Sequence, residues 1–182
     1  FLDNDLNHKN LTSANSINIA RWLPQMFYFL FAYKELKKHN KPLVISCPSG
    51  NFGNICAGIM AKKLGLPLTH FVASTNANDT IPRFLKSGIY ETNPSIATIS
   101  NAMDVGNPSN FVRIQEMYNN DLNEFEKDFS SYSFTDDETK IAMKNMYSNF
   151  GYVAEPHGAV GYLGLKKELE KHPNSVGFFL ET

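Results

Sequence analysis

Apolar side chains recur at helical spacing between Ile17 and Lys38, at Ile19, Trp22, Leu23, Met26, Phe27, Leu30 and Tyr33. This spacing predicts a helix with a broad apolar face, and therefore a well-buried one. Ser13 and Ser16 are its candidate caps, while Pro24 demands either a kink or a late start, because proline lacks the N–H that an interior turn uses. After the turn-like His39-Asn40-Lys41-Pro42 the pattern changes. Leu43–Cys47 is a short, continuous apolar run, as in a central parallel strand covered on both faces. Pro48–Asn54 reads as a loop with two glycines, Ile55–Leu64 as a helix stopped by Gly65, and Leu68–Ala73 as a second strand. Strand, loop, helix and strand within about thirty residues make a βαβ unit, so the expected fold class is α/β with a parallel sheet.

Further along, Asp79–Ser87 reads as a short helix and Asn110–Phe129 as a longer one. Between them Asn93–Asn110 is rich in Ser, Asn and Pro and exceeds an ordinary connection, so it is expected to be functional or mobile, with low hydrogen-exchange protection. Thr135-Asp136-Asp137-Glu138 has capping-box spacing and opens a helix to about Asn149. A last helix over Gly158–Lys171 carries Gly158, Gly161 and Gly164 three apart, a smooth stripe for close packing, and Ser175–Leu180 reads as the final strand.

Composition narrows the function classes. The chain has 182 residues, 42% hydrophobic, with 14 Phe and 8 Tyr, enough for a core and too apolar for disorder. A net charge of −1 gives no electrostatic footprint for nucleic acid or an anionic membrane, so neither is an expected partner. Two cysteines, Cys47 and Cys56, cannot make a disulfide framework and point to a reducing, cytoplasmic compartment. There is no HExxH, no CxxC and no Cys/His cluster at zinc spacing, so no metal is expected.

The main chemical signal is Pro48-Ser49-Gly50-Asn51-Phe52-Gly53-Asn54 between a parallel strand and a helix. A helix N-terminus offers unpaired N–H groups and a positive dipole end, and glycines let the backbone wrap an anion. No GK[ST] follows, the spacing is not GxGxxG, and Ala73-Ser74-Thr75-Asn76 offers no acid for a ribose, so a phosphate monoester fits better than a nucleotide. A plain strand-to-helix turn is the rival. Ser13-Ala14-Asn15-Ser16-Ile17-Asn18 with Arg21 could hold a carboxylate or phosphate, or could simply cap a helix. Ser100–Asn110 could line a site or be a surface loop, and His157 fits a structural role or a cap better than a catalytic base.

Taken together, SANSIN at Ser13–Asn18, PSGNFGN at Pro48–Asn54, NDTIPRFL at Asn78–Leu85, SNAMDVGNPSNF at Ser100–Phe111 and EPH at Glu155–His157 resemble the threonine synthase family of pyridoxal-phosphate enzymes. The resemblance implies a three-layer, fold-type-II catalytic domain that converts O-phospho-L-homoserine and water into L-threonine and phosphate. It implies that Ser49, Gly50, Asn51, Phe52, Gly53 and Asn54 hold the phosphate of pyridoxal 5'-phosphate. Ser13, Asn15, Ser16, Asn18 and Arg21 would face the substrate, and Thr182 would open the segment that meets the pyridine nitrogen. The family's Schiff-base lysine sits in an FKD-type motif that no lysine here matches.

The expectation is therefore that residues 1–182 are a piece of the catalytic region, inactive alone, whose partner is the remainder of the same polypeptide. Two alternatives stand beside it: a freestanding phosphate-binding regulatory domain, and another lyase of the same fold.

Overall fold

The computed structural model describes residues 14–181 together with residues 4, 8, 9 and 12. Among the described residues four strands form one sheet: β1 (Leu43–Pro48), β2 (His70–Thr75), β3 (Phe129–Ser133) and β4 (Val176–Phe179), in the order β3-β2-β1-β4. Every pairing is parallel. β1 and β2 are buried at every position, as their continuous apolar sequence requires.

Side-chain alternation assigns the two faces of the sheet. Ile45, Cys47, Phe71 and Ala73 point to one face, packed with Phe29 of α1 (Trp22–Leu36) and Ile55 and Ile59 of α2 (Gly53–Lys63). Val44 and Val72 point to the other, against Leu165. That residue lies on α7 (Pro156–Lys171), which is covered in turn by α6 (Asp136–Phe150) through Ala142, Met146 and Ala159. The result is a three-layer α/β/α arrangement. Among the described residues no helix is long and apolar enough to cross a membrane.

The glycine stripe of α7 packs on the sheet as its spacing suggests. A Cβ on Gly161 would stand 3.2 Å from Pro48 Cδ, and one on Gly164 would overlap the Ser74 hydroxyl. That hydroxyl shares a buried 2.8 Å hydrogen bond with Ser46, so it has no free direction in which to move.

One open alternative is decided and three expectations change. Helix α1 starts late, at Trp22, after a 3-10 turn over Ile19–Arg21, so Pro24 falls in the first turn where its missing N–H costs nothing. Its face is not well buried: Trp22 and Phe29 are, whereas Leu23, Phe27, Leu30 and Phe31 are exposed. The expected short helix forms as α3 (Thr80–Ser87), but the stretch read as one helix over Asn110–Phe129 is two, α4 (Phe111–Met117) and α5 (Leu122–Lys127), followed by β3. Asn119 and Asn120 both take positive φ, 53° and 57°, which ends α4. Segment 93–110 is tied down rather than loose. Buried Asn76 donates to Thr98 Oγ1 and Asp104 Oδ1, both at 2.8 Å, and Asn78 accepts from the Ile96 N–H at 2.9 Å.

The first prediction concerns packing. Gly164→Ala should lower stability by about 1–3 kcal/mol despite alanine's better helix propensity, because the methyl overpacks against Ser74. Chemical denaturation measures it, and an unchanged or raised midpoint would mean that α7 and the sheet do not touch as described.

A second prediction follows from the capping box of α6. Thr135 Oγ1 accepts from the Glu138 N–H, and Glu138 Oε2 accepts from the Thr135 N–H at 2.8 Å. The backbone bond from Thr135, then the bond from its hydroxyl, hold the Glu138 carboxyl below its ordinary pKa. The depressed value sets the sign: the carboxylate stabilises the fold above its unfolded pKa of about 4.3, and that contribution is lost as pH falls through the folded value. Glu138→Gln should therefore lower the thermal midpoint near pH 7, with the gap to the parent closing below pH ~4. A gap constant across that range would dissociate Glu138 from the cap.

Candidate functional site

In an open parallel sheet, ligands bind beyond the carboxyl ends of the strands. The loop leaving β1 there runs Ser49 to Phe52 and enters α2 at Gly53. Phe52 caps the helix with a left-handed backbone, φ 64° and ψ 11°, its ring buried edge-on against Phe111 at 5.9 Å. The ring fixes the loop, and the left-handed step turns the backbone into α2. Among the described residues, the N–H groups of Gly50, Asn51, Phe52, Gly53 and Asn54 have no protein acceptor. Five unsatisfied donors at a helix start form a ready anion cradle.

Side chains hold the cradle from behind. The Asn54 amide donates to the Pro48 carbonyl at 2.8 Å, while its Oδ1 accepts from the Ile55 N–H at 2.8 Å. Ser49 is buried beneath the loop. Its N–H donates to the Ser74 carbonyl at 2.9 Å and its hydroxyl to the Cys47 carbonyl at 3.0 Å, so it braces the turn rather than facing the cleft. Asn51 reaches outward, donating to Ser16 Oγ at 2.6 Å and accepting from the Ser109 N–H at 2.7 Å.

A cleft of about 360 Å³ opens over this loop, lined in part by Ser16, Arg21, Gly50 to Asn54, Met103 and His157. Of the other candidates for the substrate side, Asn15 and Asn18 serve local turns, accepting from the Ile17 and Ala20 N–H groups respectively. Ser13 and Thr182 lie outside the described residues. Both cysteines are free and buried, and burial pushes their thiols well above the ordinary range.

Three wall residues were not singled out from sequence. Trp22, Gln25 and Tyr28 on α1 line the cleft, and Trp22 Nε1 and Gln25 Oε1 are buried without a partner among the described residues. They looked like an ordinary helix face, and nothing in their spacing marks them. Buried orphan polar atoms on a cleft wall suit a site that a polar ligand completes. His157, whose role the sequence leaves open, joins two loops at the cleft wall: its Nε2 accepts from the Ala102 N–H at 3.2 Å and its Nδ1 pairs with Glu155 Oε2 at 2.6 Å. Glu155 also caps α7, accepting from the Gly158 N–H at 2.8 Å. Burial raises the Glu155 carboxyl, but the bonds from His157 and Gly158 outweigh it and hold it below the ordinary value.

A parallel α/β sheet with a glycine-loop anion cradle and one orphan donor and one orphan acceptor on the adjoining cleft wall fits a phosphorylated cofactor. The chain belongs to the pyridoxal-phosphate dependent enzyme family, whose model matches residues 11–180. Among its relatives is a threonine synthase of Buchnera aphidicola, 49% identical over 173 residues, covering 94% of this chain and 39% of that protein. A Haemophilus influenzae threonine synthase is 48% identical over 176 residues, with 94% and 40% covered. The crystal structure of Escherichia coli threonine synthase superposes with a TM-score of 0.86 at 43% identity, over 94% of this chain and 40% of the other. A pyridoxal-phosphate-bound threonine synthase of Brucella melitensis gives 0.87 at 31%, over 94% and 42%. The chain thus spans about 40% of the length of these relatives.

The third prediction tests the cradle. Gly50→Ala would place a Cβ 2.7 Å from Met103 Cα and 3.2 Å from the Ala102 carbonyl, forcing the two loops apart. The expected cost is about 1–3 kcal/mol, with weaker binding of inorganic phosphate. Denaturant unfolding and a phosphate titration followed by amide chemical shifts would read both. Full retention of both would remove Gly50 from the cradle.

Proposed function

We propose that this chain supplies the phosphate cradle and part of the substrate pocket of a threonine synthase, which turns O-phospho-L-homoserine and water into L-threonine and phosphate. The observation that carries the reading is the set of unpaired N–H groups from Gly50 to Asn54 facing a cleft shared with Ser16 and Arg21. Pyridoxal phosphate, when bound, supplies an electron sink for carbanion chemistry. Gly50 to Asn54 would hold its phosphate through backbone donors, with Asn54 and Ser49 keeping the turn rigid.

Arg21, whose Nη1 donates to the Ala14 carbonyl at 2.6 Å, keeps further guanidinium donors for the substrate's phosphate or carboxylate. Ser16 joins it, and Ser13, Asn15 and Asn18 complete the proposed substrate set. Thr182 is assigned to the cofactor's ring nitrogen on the same reading. His157 positions the Ala102–Met103 wall and moves no proton. The proposed partner is the remainder of the polypeptide, packed on the exposed apolar face of α1.

The fourth prediction follows from the lysines. Among the described residues no lysine lines the cleft. Lys34, Lys37, Lys38, Lys63, Lys166 and Lys167 are exposed, and Lys62 pairs with Asp128. The chain alone should form no threonine from O-phosphohomoserine. Mixed with pyridoxal phosphate and reduced with borohydride, it should give no single stoichiometric lysine label, while cofactor binding should be competed by inorganic phosphate. One uniquely labelled lysine, or threonine formed, would overturn the assignment of inactivity. Binding indifferent to phosphate would overturn the cradle. A parent reading frame that encodes an FKD lysine upstream supports the synthase reading; a start codon directly before Phe1 supports a freestanding phosphate-binding domain.

A further inference from the structure

At the end of the sheet opposite the cleft, three side chains with metal-ligating atoms converge. His70 is the first residue of β2, and Glu168 and His172 stand one turn apart at the end of α7. One donor atom from each lies within 4.8 Å of the other two. Glu168 Oε1 is 3.4 Å from His70 Nε2 and 3.0 Å from His172 Nε2. Ligands around a tetrahedral zinc ion at about 2.0–2.1 Å stand roughly 3.3 Å from one another. The carboxylate oxygen is thus already at ligand spacing from both imidazoles.

The surroundings orient these groups. Tyr132 donates its hydroxyl to Glu168 Oε2 at 2.5 Å, and Lys171 donates to the Tyr132 oxygen at 2.5 Å. One carboxylate oxygen is thereby occupied and the other is left to the histidines. Glu168 is only 1% exposed, and its nearest ammonium, Lys171, is 3.9 Å from Oε2. A buried carboxylate needs a compensating charge. The His172 side chain, 43% exposed, leaves one side open to water and can rotate to close the coordination sphere.

The geometry points to a site for a divalent transition metal of the zinc class, with His70, Glu168 and His172 as ligands and water in the fourth position. Two imidazoles and one carboxylate favour zinc over calcium or magnesium, which take all-oxygen shells. The ion clamps the end of α7 to the start of β2, far from the cleft. The rival is a metal-free network in which both histidines donate to Glu168 and Ser130 Oγ, 2.8 Å from His70 Nε2, fills the gap.

The fifth prediction decides between them. The full chain, stripped with chelator, is titrated with Zn²⁺ by calorimetry and with Co²⁺ by visible absorbance. One equivalent should bind, with the intense bands of four-coordinate cobalt, and the unfolding midpoint should rise by about 5–10 °C at a hundredfold excess over Kd. His172→Ala, which removes a half-exposed ring and leaves the core intact, should weaken binding at least tenfold, as should Glu168→Gln. His39→Ala, at an exposed histidine elsewhere, should change nothing. Binding undiminished in His172→Ala, or a folded chain whose midpoint ignores both metals, would establish the metal-free network instead.

Discussion

The amide of Asn110 joins three stretches of chain that the site cannot do without. Fully buried, it donates to the Ser16 carbonyl at 3.1 Å and to the Asn51 carbonyl at 2.9 Å. Its oxygen accepts from Arg113 at 2.8 Å, and that guanidinium lies over the Trp22 ring. The segment before α1, the glycine loop and the start of α4 are thereby held in one register. A buried amide with its donors and acceptor satisfied is costly to displace, because each lost partner leaves an unpaired polar group. The cleft opens over two of them, the segment before α1 and the glycine loop.

The sheet and α7 supply the rigid frame on which that junction rests. The parallel pairing of β1 with both β2 and β4 places the glycine loop at a carboxyl edge, where the start of α2 faces outward. Helix α7 lies on the sheet so closely that only glycine fits at position 164. Its two ends do different work. The start, through Glu155 and His157, pins the Ala102 loop that forms one wall of the cleft. The far end gathers Glu168 and His172 beside His70. A single helix thus links the site wall to the opposite, amino-terminal end of the strands.

The 93–110 segment shows how a loop-like composition can conceal a connected hydrogen-bond network. Its Asn, Ser, Thr and Asp side chains look like those of a solvated loop. In the fold they bond to one another around Asn76, with Asp104 accepting from Thr98 N–H and Oγ1 and from Asn76. Polar residues buried together can replace a hydrophobic anchor when every donor finds an acceptor. The exposed apolar face of α1 is the converse case, where periodicity gave the helix but not what covers it.

Local periodicity was enough for β1, α2 with its stop at Gly65, the capping box of Thr135 and Glu138, and the βαβ order, because those features depend on neighbours in sequence. The glycine loop was legible for the same reason: strand, glycines and helix start are contiguous, and their anion chemistry is a backbone property. Three things were decided only by tertiary structure. The break between α4 and α5 depends on two asparagines in left-handed conformations, and the strand after it on pairing with β2. The orphan atoms of Trp22 and Gln25 became site features only when α1 packed beside the loop. The trio of His70, Glu168 and His172 has no sequence spacing to read, since one member comes from β2 and two from α7. Contacts between residues far apart in sequence are set by how the layers pack, and no local pattern encodes that geometry.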